Sequence, residues 1–233
     1  MGELTIIYQD EHYIAVDKPA GMLVHRTRIS EDTRFVLQQL RDQIGQRVYP
    51  VHRLDRPTSG VLVFGLDSDA ARRLVGLFEQ RLVTKRYLAV VRGYTDEAAR
   101  IDYPLQEEAG RPHQDAVTEY RRLATVELPY GVGRYATARY SLLEVRPETG
   151  RMHQIRKHMK HIFHPIVGDT THGDGKHNQL FRDELGVYRL LLMATDLAFD
   201  HPYTGKPLTL RALPDGEMCQ LFERLGWNSE GLN

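Results

Sequence analysis

Apolar and polar residues alternate over short stretches in the first half of the chain, and this pattern predicts short strands separated by helices. The strands are expected at residues 4–8, 13–16, 61–64 and 87–92, with a turn at 18–21. The first helix should begin near Ser30 or Asp32 and stop at Gly45. The second should begin at Ser68 and turn an apolar stripe inward, formed by Ala71, Leu74, Val75, Phe78 and Leu82.

The second half is richer in strands, which are expected at residues 116–126, 135–145, 190–199 and 208–211. One helix interrupts them, because four apolar residues recur at three- and four-residue spacing: Met152, Ile155, Met159 and Ile162. A short final helix should begin near Asp215. Residues 107–115 are typical of a mobile loop, and residues 170–182 of a longer polar excursion.

Composition is that of a globular chain. With 233 residues, 41% of them hydrophobic, the chain can bury a sizeable core as one large domain or two fused lobes. Cys219 is the only cysteine, so no intramolecular disulfide can form. The first twenty residues have early acids and no long apolar region, and runs such as 190–193 are too short to cross a bilayer. We therefore expect a cytoplasmic protein that does not enter a membrane.

Charge is balanced overall but uneven along the chain. The 31 basic and 31 acidic side chains cancel, which argues weakly against a nucleic-acid ligand. Residues 151–164, however, contain four cations and four histidines and no acid; the cations are Arg151, Arg156, Lys157 and Lys160. Such a positively charged stripe can bind the phosphate groups of a nucleic acid. The alternative is a solvated helix face without a ligand.

The most crowded stretch for chemistry covers residues 52–60, HRLDRPTSG. Arginines on both sides of Asp55 favour its charged form, so this carboxylate should be available as a nucleophile or base. Pro57 and Gly60 predict a sharp turn that places it at the mouth of the strand 61–64. The alternative is a surface ion pair beside a turn, which would have little energetic value.

This stretch resembles the signature of the RluA-type pseudouridine synthases, in which the aspartate is catalytic. The similarity continues in the family's order through residues 17–21 (DKPAG), 85–93 (KRYLAVVRG), 149–156 (TGRMHQIR), 164–169 (HPIVGD) and 201–205 (HPYTG). It therefore covers nearly the whole chain. Arg56-Pro57 and residues 102–105 and 171–174 are similar to the members that modify tRNA.

The resemblance implies an α+β fold with a bent, mostly antiparallel mixed sheet, flanking helices and a central catalytic cleft. It implies one catalytic domain over residues 1–233, with two fused lobes at roughly 1–95 and 96–233. Some members place a small basic RNA-binding domain first, whereas here the first strand is expected by Leu4, so we expect no such accessory domain.

The resemblance also implies a reaction that breaks the bond from the sugar to N1 of uracil, turns the base and joins the sugar to C5. No electrons are transferred and no group is lost, so we expect no cofactor and no metal. Asp55 is implied as the essential carboxylate, Arg156 as its bidentate partner and Tyr87 as the base-stacking tyrosine. Whether Arg156 or Arg151 pairs with Asp55 stays open, as does the chemical route that Asp55 takes.

RNA recognition is assigned to five residues: His52, Arg53, Arg151, Lys157 and Lys160. Reaching the bond requires the nucleotide to be flipped out, and a planar Arg53 guanidinium could fill the space that the base leaves. His52 could contact RNA or be a structural hydrogen-bonding residue. The expected partner is tRNA, at uridine 65 in the stem of the T arm, and we expect a monomer without an obligate protein partner.

Other function classes compete with this interpretation. The same chemistry could act on ribosomal RNA, or the protein could be a non-catalytic RNA-binding assembly factor in which Asp55 only holds a turn. His158, His161 and His164, with His172 and His177 beyond, raise the alternative of a metalloenzyme, although steps of three drift around a helix.

A serine hydrolase built on His52, Asp55 and Ser59 is disfavoured, because no Gly-x-Ser-x-Gly motif surrounds the serine and all three residues crowd one short segment.

Overall fold

The computed structural model describes residues 3–25, 35–107 and 110–227. Its strands are β1 Thr5–Gln9, β2 Tyr13–Lys18, β3 Tyr49–Pro50, β4 Ser59–Gly65, β5 Thr84–Arg92, β6 Ala98–Asp102, β7 Val117–Leu128, β8 Ala138–Pro147, β9 Leu192–Asp200 and β10 Pro207–Arg211. Its helices are α1 Val36–Ile44, α2 Ser68–Glu79, α3 Gln154–His161, α4 Gly175–Leu185 and α5 Gly216–Arg224. Among the described residues, no helix combines the length and apolarity that crossing a membrane requires. The predicted α+β class with a mostly antiparallel sheet is confirmed.

The chain forms two compact units, each built from two segments. The first unit contains Met1–Lys85 and Ala194–Leu213, and the second contains Arg86–Met193 and Pro214–Asn233. The two lobes expected from the sequence have a single boundary near residue 95. The units differ from those lobes because residues 194–213 group with the beginning of the chain.

In the first unit, β2 and β4 form the centre of the sheet. The strand order is β1-β2-β4-β9, with β10 paired to β9 and β3 paired to β4. All seven residues of β4 are buried, which explains its continuous apolar sequence. Gly60 in this strand has φ +108°, and a Cβ there would lie 2.0 Å from the carbonyl oxygen of Ala194. Only glycine allows this close approach.

The helix α1 ends at Gly45, as predicted, and this glycine has the left-handed conformation that favours glycine after a helix. The predicted start near Ser30 or Asp32 lies outside the described residues, and the helix begins at Val36.

The helix α2 begins at Ser68, as predicted, and the Asp67 carboxylate caps it by accepting the Ala70 N–H at 2.8 Å. The prediction that Leu82 belongs to its inward stripe is wrong. The helix ends at Glu79, Arg81 has a left-handed backbone, and Leu82 is 57% exposed.

In the second unit the strand order is β5-β8-β7-β6, and all three pairs are antiparallel. Tyr87 lies opposite Val145 in the pair β5–β8. Ile155 and Met159 of α3 are buried in a core cluster with residues of these strands. This packing fixes which face of α3 is apolar and which side chains it presents elsewhere.

The prediction of a polar excursion over residues 170–182 is wrong, because most of it is helical. The helix α4 begins after Asp174, whose carboxylate accepts the N–H of Lys176 at 3.0 Å, and it ends at the left-handed Gly186. Phe181 and Leu185 lie four residues apart, and both are buried on the inward face of α4. The polar residues around them obscure this face in the sequence. Two short strands, β3 and β6, were not predicted either.

Candidate active site

Asp55 lies in the first unit on a turn that leads into β4. The Thr58 N–H donates to the Asp55 carbonyl at 3.1 Å and closes the turn that Pro57 and Gly60 predicted. Leu54 and Thr58 are buried, whereas Asp55 is partly exposed. The flanking residues therefore anchor the turn and leave part of the aspartate accessible.

The buried Lys18 binds backbone carbonyls of the turn that contains Asp55. This lysine is completely buried, and its Nζ donates to the carbonyls of Pro19, Arg56 and Thr58 at 3.0, 3.1 and 2.7 Å. Gly21 and Arg56 add two more bonds, from the Gly21 N–H to the Arg56 carbonyl and from the Arg56 Nε to the Gly21 carbonyl. The segments 18–21 and 55–58 are thus joined by charge-assisted and backbone hydrogen bonds.

Lys18 was part of a sequence motif but was given no role of its own. A lysine at the end of the buried strand β2 is the available signal, because a buried ammonium group requires several acceptors.

His52 faces inward in the first unit. Its Nε2 accepts the Val63 N–H at 3.2 Å, and its ring stacks on Phe78 with centroids 4.9 Å apart. Burial, assisted by the nearby Lys85 cation, lowers the pKa of His52 to about 3, so the ring is neutral. These contacts are structural, and an RNA contact of His52 stays a prediction. Arg53 is exposed on the same segment, as stacking would require.

Tyr87 belongs to the second unit and is partly exposed on β5. Its ring packs against the core cluster that contains Ile155 and Met159. Pairing of Tyr87 with Val145 fixes its backbone in the sheet. The ring therefore has a rigid support, as stacking on a base would require.

The beginning of α3 is fixed by a buried glutamine. The Gln154 Oε1 accepts from the Thr149 hydroxyl at 2.6 Å and the Arg151 N–H at 3.0 Å. Its Nε2 donates to the Val117 carbonyl at 2.8 Å and the Thr118 hydroxyl at 3.0 Å. All four hydrogen-bonding positions of the amide are thus used, which locks α3 onto β7.

Arg156 is buried in the second unit against Asp169. Its Nε and Nη2 donate to the two carboxylate oxygens at 2.8 Å each, and the side chains are 4% and 1% exposed. Burial alone would raise the pKa of Asp169, but hydrogen bonds from Arg156 and from the His172 and Thr171 amides outweigh it and lower this pKa. Asp169 is thus an ionised partner that sequence reasoning missed. The pairing of Arg156 with Asp55 stays a prediction.

The cations predicted to bind RNA differ in how they are held. The Arg151 Nε donates to the Asp115 carbonyl at 3.1 Å, and the Lys157 Nζ donates to the Gln106 carbonyl at 2.7 Å. Lys160 is exposed on α3. Arg151 and Lys157 therefore also hold the backbone at Asp115 and Gln106.

The five histidines between residues 158 and 177 make different contacts: His158 contacts Thr118 and the Tyr103 carbonyl, His161 the Tyr103 ring, His164 the Arg92 carbonyl, His172 His153, and His177 Tyr140. Within the described residues, no group of three or more His, Cys, Asp or Glu is placed to hold a metal ion. The spacing of the histidines along the sequence therefore does not bring them to a common site there.

Comparisons with known proteins agree on one family. The sequence model of the family described as RNA pseudouridylate synthase matches residues 12–161. A curated relative from Vibrio parahaemolyticus, named tRNA pseudouridine synthase C, is 52% identical over 98% of this chain and 97% of its own length. Its namesake from Vibrio cholerae is 53% identical over 96% of each chain.

Among solved structures, the human RNA pseudouridylate synthase domain containing 1 has a TM-score of 0.74 and 23% identity, over 97% of this chain and 96% of its own. At that identity the likeness concerns the fold. The family match and the near full-length similarity show more: this chain belongs to the RNA pseudouridylate synthase family.

Proposed function

We propose that this chain isomerises one uridine of tRNA to pseudouridine, with Asp55 as the essential carboxylate and without a cofactor. The observation that carries the proposal is the similarity to curated relatives named tRNA pseudouridine synthase C, which extends over 98% of this chain at 52% identity. The target we propose is uridine 65 in the stem of the T arm, on the grounds of the motifs at Arg56-Pro57 and residues 102–105 and 171–174.

One route open to the carboxylate acts at C1′ of the sugar, where the bond from C1′ to N1 must break and a bond from C1′ to C5 must form. In glycoside hydrolysis, a carboxylate attacks or stabilises a sugar cation of this kind. Asp55 suits the task, since it is partly exposed on a turn whose backbone is held by Lys18. A fixed backbone limits the positions that the carboxylate can occupy.

Arg156 and Tyr87 complete the proposed catalytic group. Arginine presents a planar fork of five N–H donors, two of which bond to Asp169. We assign Arg156 the orientation of the Asp55 carboxylate. Tyr87 stacks on the uracil, and its hydroxyl assists removal of the proton from C5.

Recognition of the RNA requires a flipped nucleotide, which costs a few kcal/mol of lost stacking. Arg53 is the side chain that we propose to fill the gap, and its exposure supports this role. Arg151, Lys157 and Lys160 are proposed to contact phosphates, and His52 to contribute to the nearby surface. With 31 basic and 31 acidic residues, non-specific attraction is weak, so the shape of a folded RNA must provide discrimination.

We further propose that the protein acts in the cytoplasm as a monomer with a single catalytic domain. Cytoplasmic action is supported by the relatives from Vibrio, whose names specify tRNA.

Chemical mapping of pseudouridine in RNA from cells with and without this protein tests the proposal. Loss of a single signal in the T-arm stem of tRNA, restored by the wild-type gene but not by Asp55→Asn, is the expected result. An unchanged tRNA profile together with a lost signal in ribosomal RNA would overturn the substrate assignment. Restoration by Asp55→Asn would overturn the role of the carboxylate.

A further inference from the structure

Phe163 follows the helix α3 at a position where helices commonly have glycine. Two backbone hydrogen bonds end this helix, from the Phe163 N–H to the Lys160 carbonyl at 3.0 Å and from the His164 N–H to the Met159 carbonyl at 2.9 Å. This pair of bonds requires one residue in the left-handed conformation. Phe163 is that residue, with φ +65°.

The left-handed backbone of Phe163 is strained. In this conformation the Cβ of any residue other than glycine crowds a neighbouring carbonyl oxygen, so a bulky side chain there is an outlier. The helices α1 and α4 end at the left-handed Gly45 and Gly186 and avoid this cost. Glycine at position 163 would allow the same turn, so the end of α3 does not require a phenylalanine.

The Phe163 ring gains little packing in return for this strain. The residue is 80% exposed, the highest fraction among the large hydrophobic residues of the described part. An exposed ring leaves a large apolar area in contact with water. Strained backbone is found mainly at functional sites, where the surrounding structure maintains it. The strain and the exposure together point to a ligand that covers the ring.

The backbone around Phe163 is fixed by Arg92 of β5. The Arg92 Nη2 donates to the Phe163 carbonyl at 3.0 Å, and the Arg92 carbonyl contacts the His164 Nδ1 at 2.8 Å. The Arg92 N–H donates to the Pro165 carbonyl at 3.0 Å, and its side chain forms an ion pair with Asp174 at 2.6 Å. The strained turn is thus attached to the sheet, and the ring has a rigid support, as stacking on a ligand requires.

Positive charge accompanies the ring. Lys160 is exposed, and the hydrogen bond between its carbonyl and the Phe163 N–H places the two residues side by side. Residues 151–164 contain no acid. A cation at this place can bind the phosphate of a nucleotide whose base lies on the ring. Proteins bind unpaired nucleotides with this combination of aromatic rings and cations.

A cavity of about 340 Å³ adjoins the turn. Ile162 and His164, the neighbours of Phe163 in the chain, both line it. Its wall also contains Tyr103, whose ring stacks on His161 with centroids 3.6 Å apart. The charged residues of the wall are Arg100 and two acids, Asp96 and Asp102. A neutral, planar base therefore suits this concave surface better than a phosphate.

We propose that Phe163 is a stacking platform for an unpaired base of the RNA substrate, distinct from the uridine that is isomerised. The base lies on the Phe163 ring beside the cavity, and Lys160 binds the adjoining phosphate. The identity of the RNA rests on the proposed function. The platform adds a contact that only an RNA with an unpaired base at this place can make, so it contributes to the choice of substrate.

The decisive variant is Phe163→Gly, which removes the ring and relieves the strain. Since stacking on the ring is lost, the affinity for an unmodified tRNA transcript should fall about tenfold, and KM should rise by a similar factor. The melting temperature should not fall, because glycine is the residue that this turn favours. Phe163→Trp retains a ring and should bind like wild type. Phe163→Leu retains apolar area without a ring and should lose most of the affinity.

Tyr188→Ala is the matched control. Tyr188 is 75% exposed in the same unit, so this variant removes an exposed ring at another place and should keep the affinity for tRNA. A fully paired RNA duplex of the same length is the second probe, and wild type and Phe163→Gly should bind it equally. The slope of log affinity against log salt should also be the same in both proteins, because the ring has no charge.

Four outcomes would overturn the proposal. Wild-type affinity for tRNA in Phe163→Gly would assign the ring to a protein partner or to a second copy of this chain. Equal losses in Phe163→Gly and Tyr188→Ala, or in Phe163→Gly and Phe163→Trp, would exclude stacking at this place. A lower melting temperature of Phe163→Gly would assign the ring to packing. All four are measured with a wild-type protein that converts uridine in tRNA, whereas a wild-type protein without binding or conversion would instead overturn the proposed function.

Discussion

Asp55 in the first unit and Asp169 in the second unit are both aspartates on turns, but the protein holds them in opposite ways. At Asp169 the carboxylate itself is bound, by four hydrogen bonds, and the side chain is 1% exposed. At Asp55 the surrounding backbone is bound, through the buried Lys18 and the contacts to Gly21, and the residue is partly exposed. A carboxylate that is enclosed by hydrogen-bond donors can only position its partner. A partly exposed carboxylate on a turn with a fixed backbone can reach a substrate.

Both regions also contain a neutral histidine. Burial lowers the pKa of His52 to about 3 in the Asp55 region. Burial, with a contribution from the Arg156 cation, lowers that of His172 to about 4 in the Asp169 region. In both places desolvation excludes a further positive charge. The arginines and lysines are thus the groups that carry charge near each aspartate at neutral pH.

The largest expected effect separates the two aspartates by activity. Asp55→Asn should lower the rate of pseudouridine formation by at least about a hundredfold, because an amide can act neither as nucleophile nor as base. The affinity for tRNA and the melting temperature should stay near wild type, since the residue is partly exposed. Single-turnover kinetics and tRNA binding are the measurements, and retention of more than a few per cent of the rate would contradict the account.

The second expected effect is a difference in stability between variants of Asp169 and of Asp55. Asp169→Asn should lower the free energy of unfolding by about 3–5 kcal/mol, because it leaves the Arg156 guanidinium buried without a counter-charge. For a chain of this size, each kcal/mol corresponds to roughly 2–4 °C in melting temperature. Thermal unfolding of Asp169→Asn and Asp55→Asn side by side is the measurement. Equal melting temperatures of the two variants would contradict the proposed difference between the enclosed Asp169 and the partly exposed Asp55.

The third effect concerns the support of the Asp55 turn. Lys18→Met should destabilise the first unit by about 1–3 kcal/mol, because it removes the donor of hydrogen bonds to three carbonyls, of which the bond to Thr58 is buried. Turnover should fall as well, while Asp55 is still present. Thermal unfolding and kcat are the readouts, with the exposed Lys206→Met as the control. Full activity in Lys18→Met would show that catalysis does not depend on the hydrogen bonds from Lys18 to the turn.

The fourth effect is a loss of stability in acid. The folded-state pKa values of His52 and His172 are lowered, so the unfolded chain binds more protons below its own pKa of about 6.5. Stability should therefore fall as the pH decreases from about 6.5 toward 4, by up to about 1.4 kcal/mol per pH unit for each histidine. Melting temperatures between pH 7.5 and 4.5 measure it. His52→Gln should flatten this dependence, and an unchanged slope would contradict the assignment.

The smallest effect concerns a cation near the Asp169 region. Lys160 is exposed on α3, so Lys160→Gln should reduce the slope of log affinity for tRNA against log salt by about 0.7–0.9 if it neutralises one phosphate. kcat should stay constant. Titration of tRNA binding at several salt concentrations is the measurement, with Lys206→Gln as the control. An identical slope in the two variants would remove Lys160 from the interface.

The sequence predicts the elements whose signals are local. The stripe at Ala71 and Leu74, the start at Ser68 and the stop at Gly45 are such signals, and the structure has the helices there. The helix α4 escaped prediction because Asn178 shares its buried face with Phe181 and Leu185 and weakens the apolar pattern. The grouping of residues 194–213 with the first unit was not predicted, because pairing between distant segments leaves no local pattern in the sequence.

Prediction of the candidate site from the sequence is likewise limited to local signals. Asp55, Tyr87 and Arg156 follow from motifs that are continuous in sequence. The partner of Arg156 lies thirteen residues away at Asp169, with no periodic relation to it, and the acceptors of Lys18 at Arg56 and Thr58 lie 38 and 40 residues away. Such pairs depend on how separate turns meet, which residue types alone do not specify.

The proposed activity on tRNA is tested most directly by conversion of defined RNAs by the purified protein. An unmodified tRNA transcript and a ribosomal RNA fragment of equal length should be compared at physiological salt, because low salt would strengthen binding to any RNA. We expect pseudouridine at one uridine of the tRNA, in the T-arm stem, and none in the ribosomal fragment. Efficient conversion of the ribosomal fragment, with no reaction on any tRNA, would contradict it.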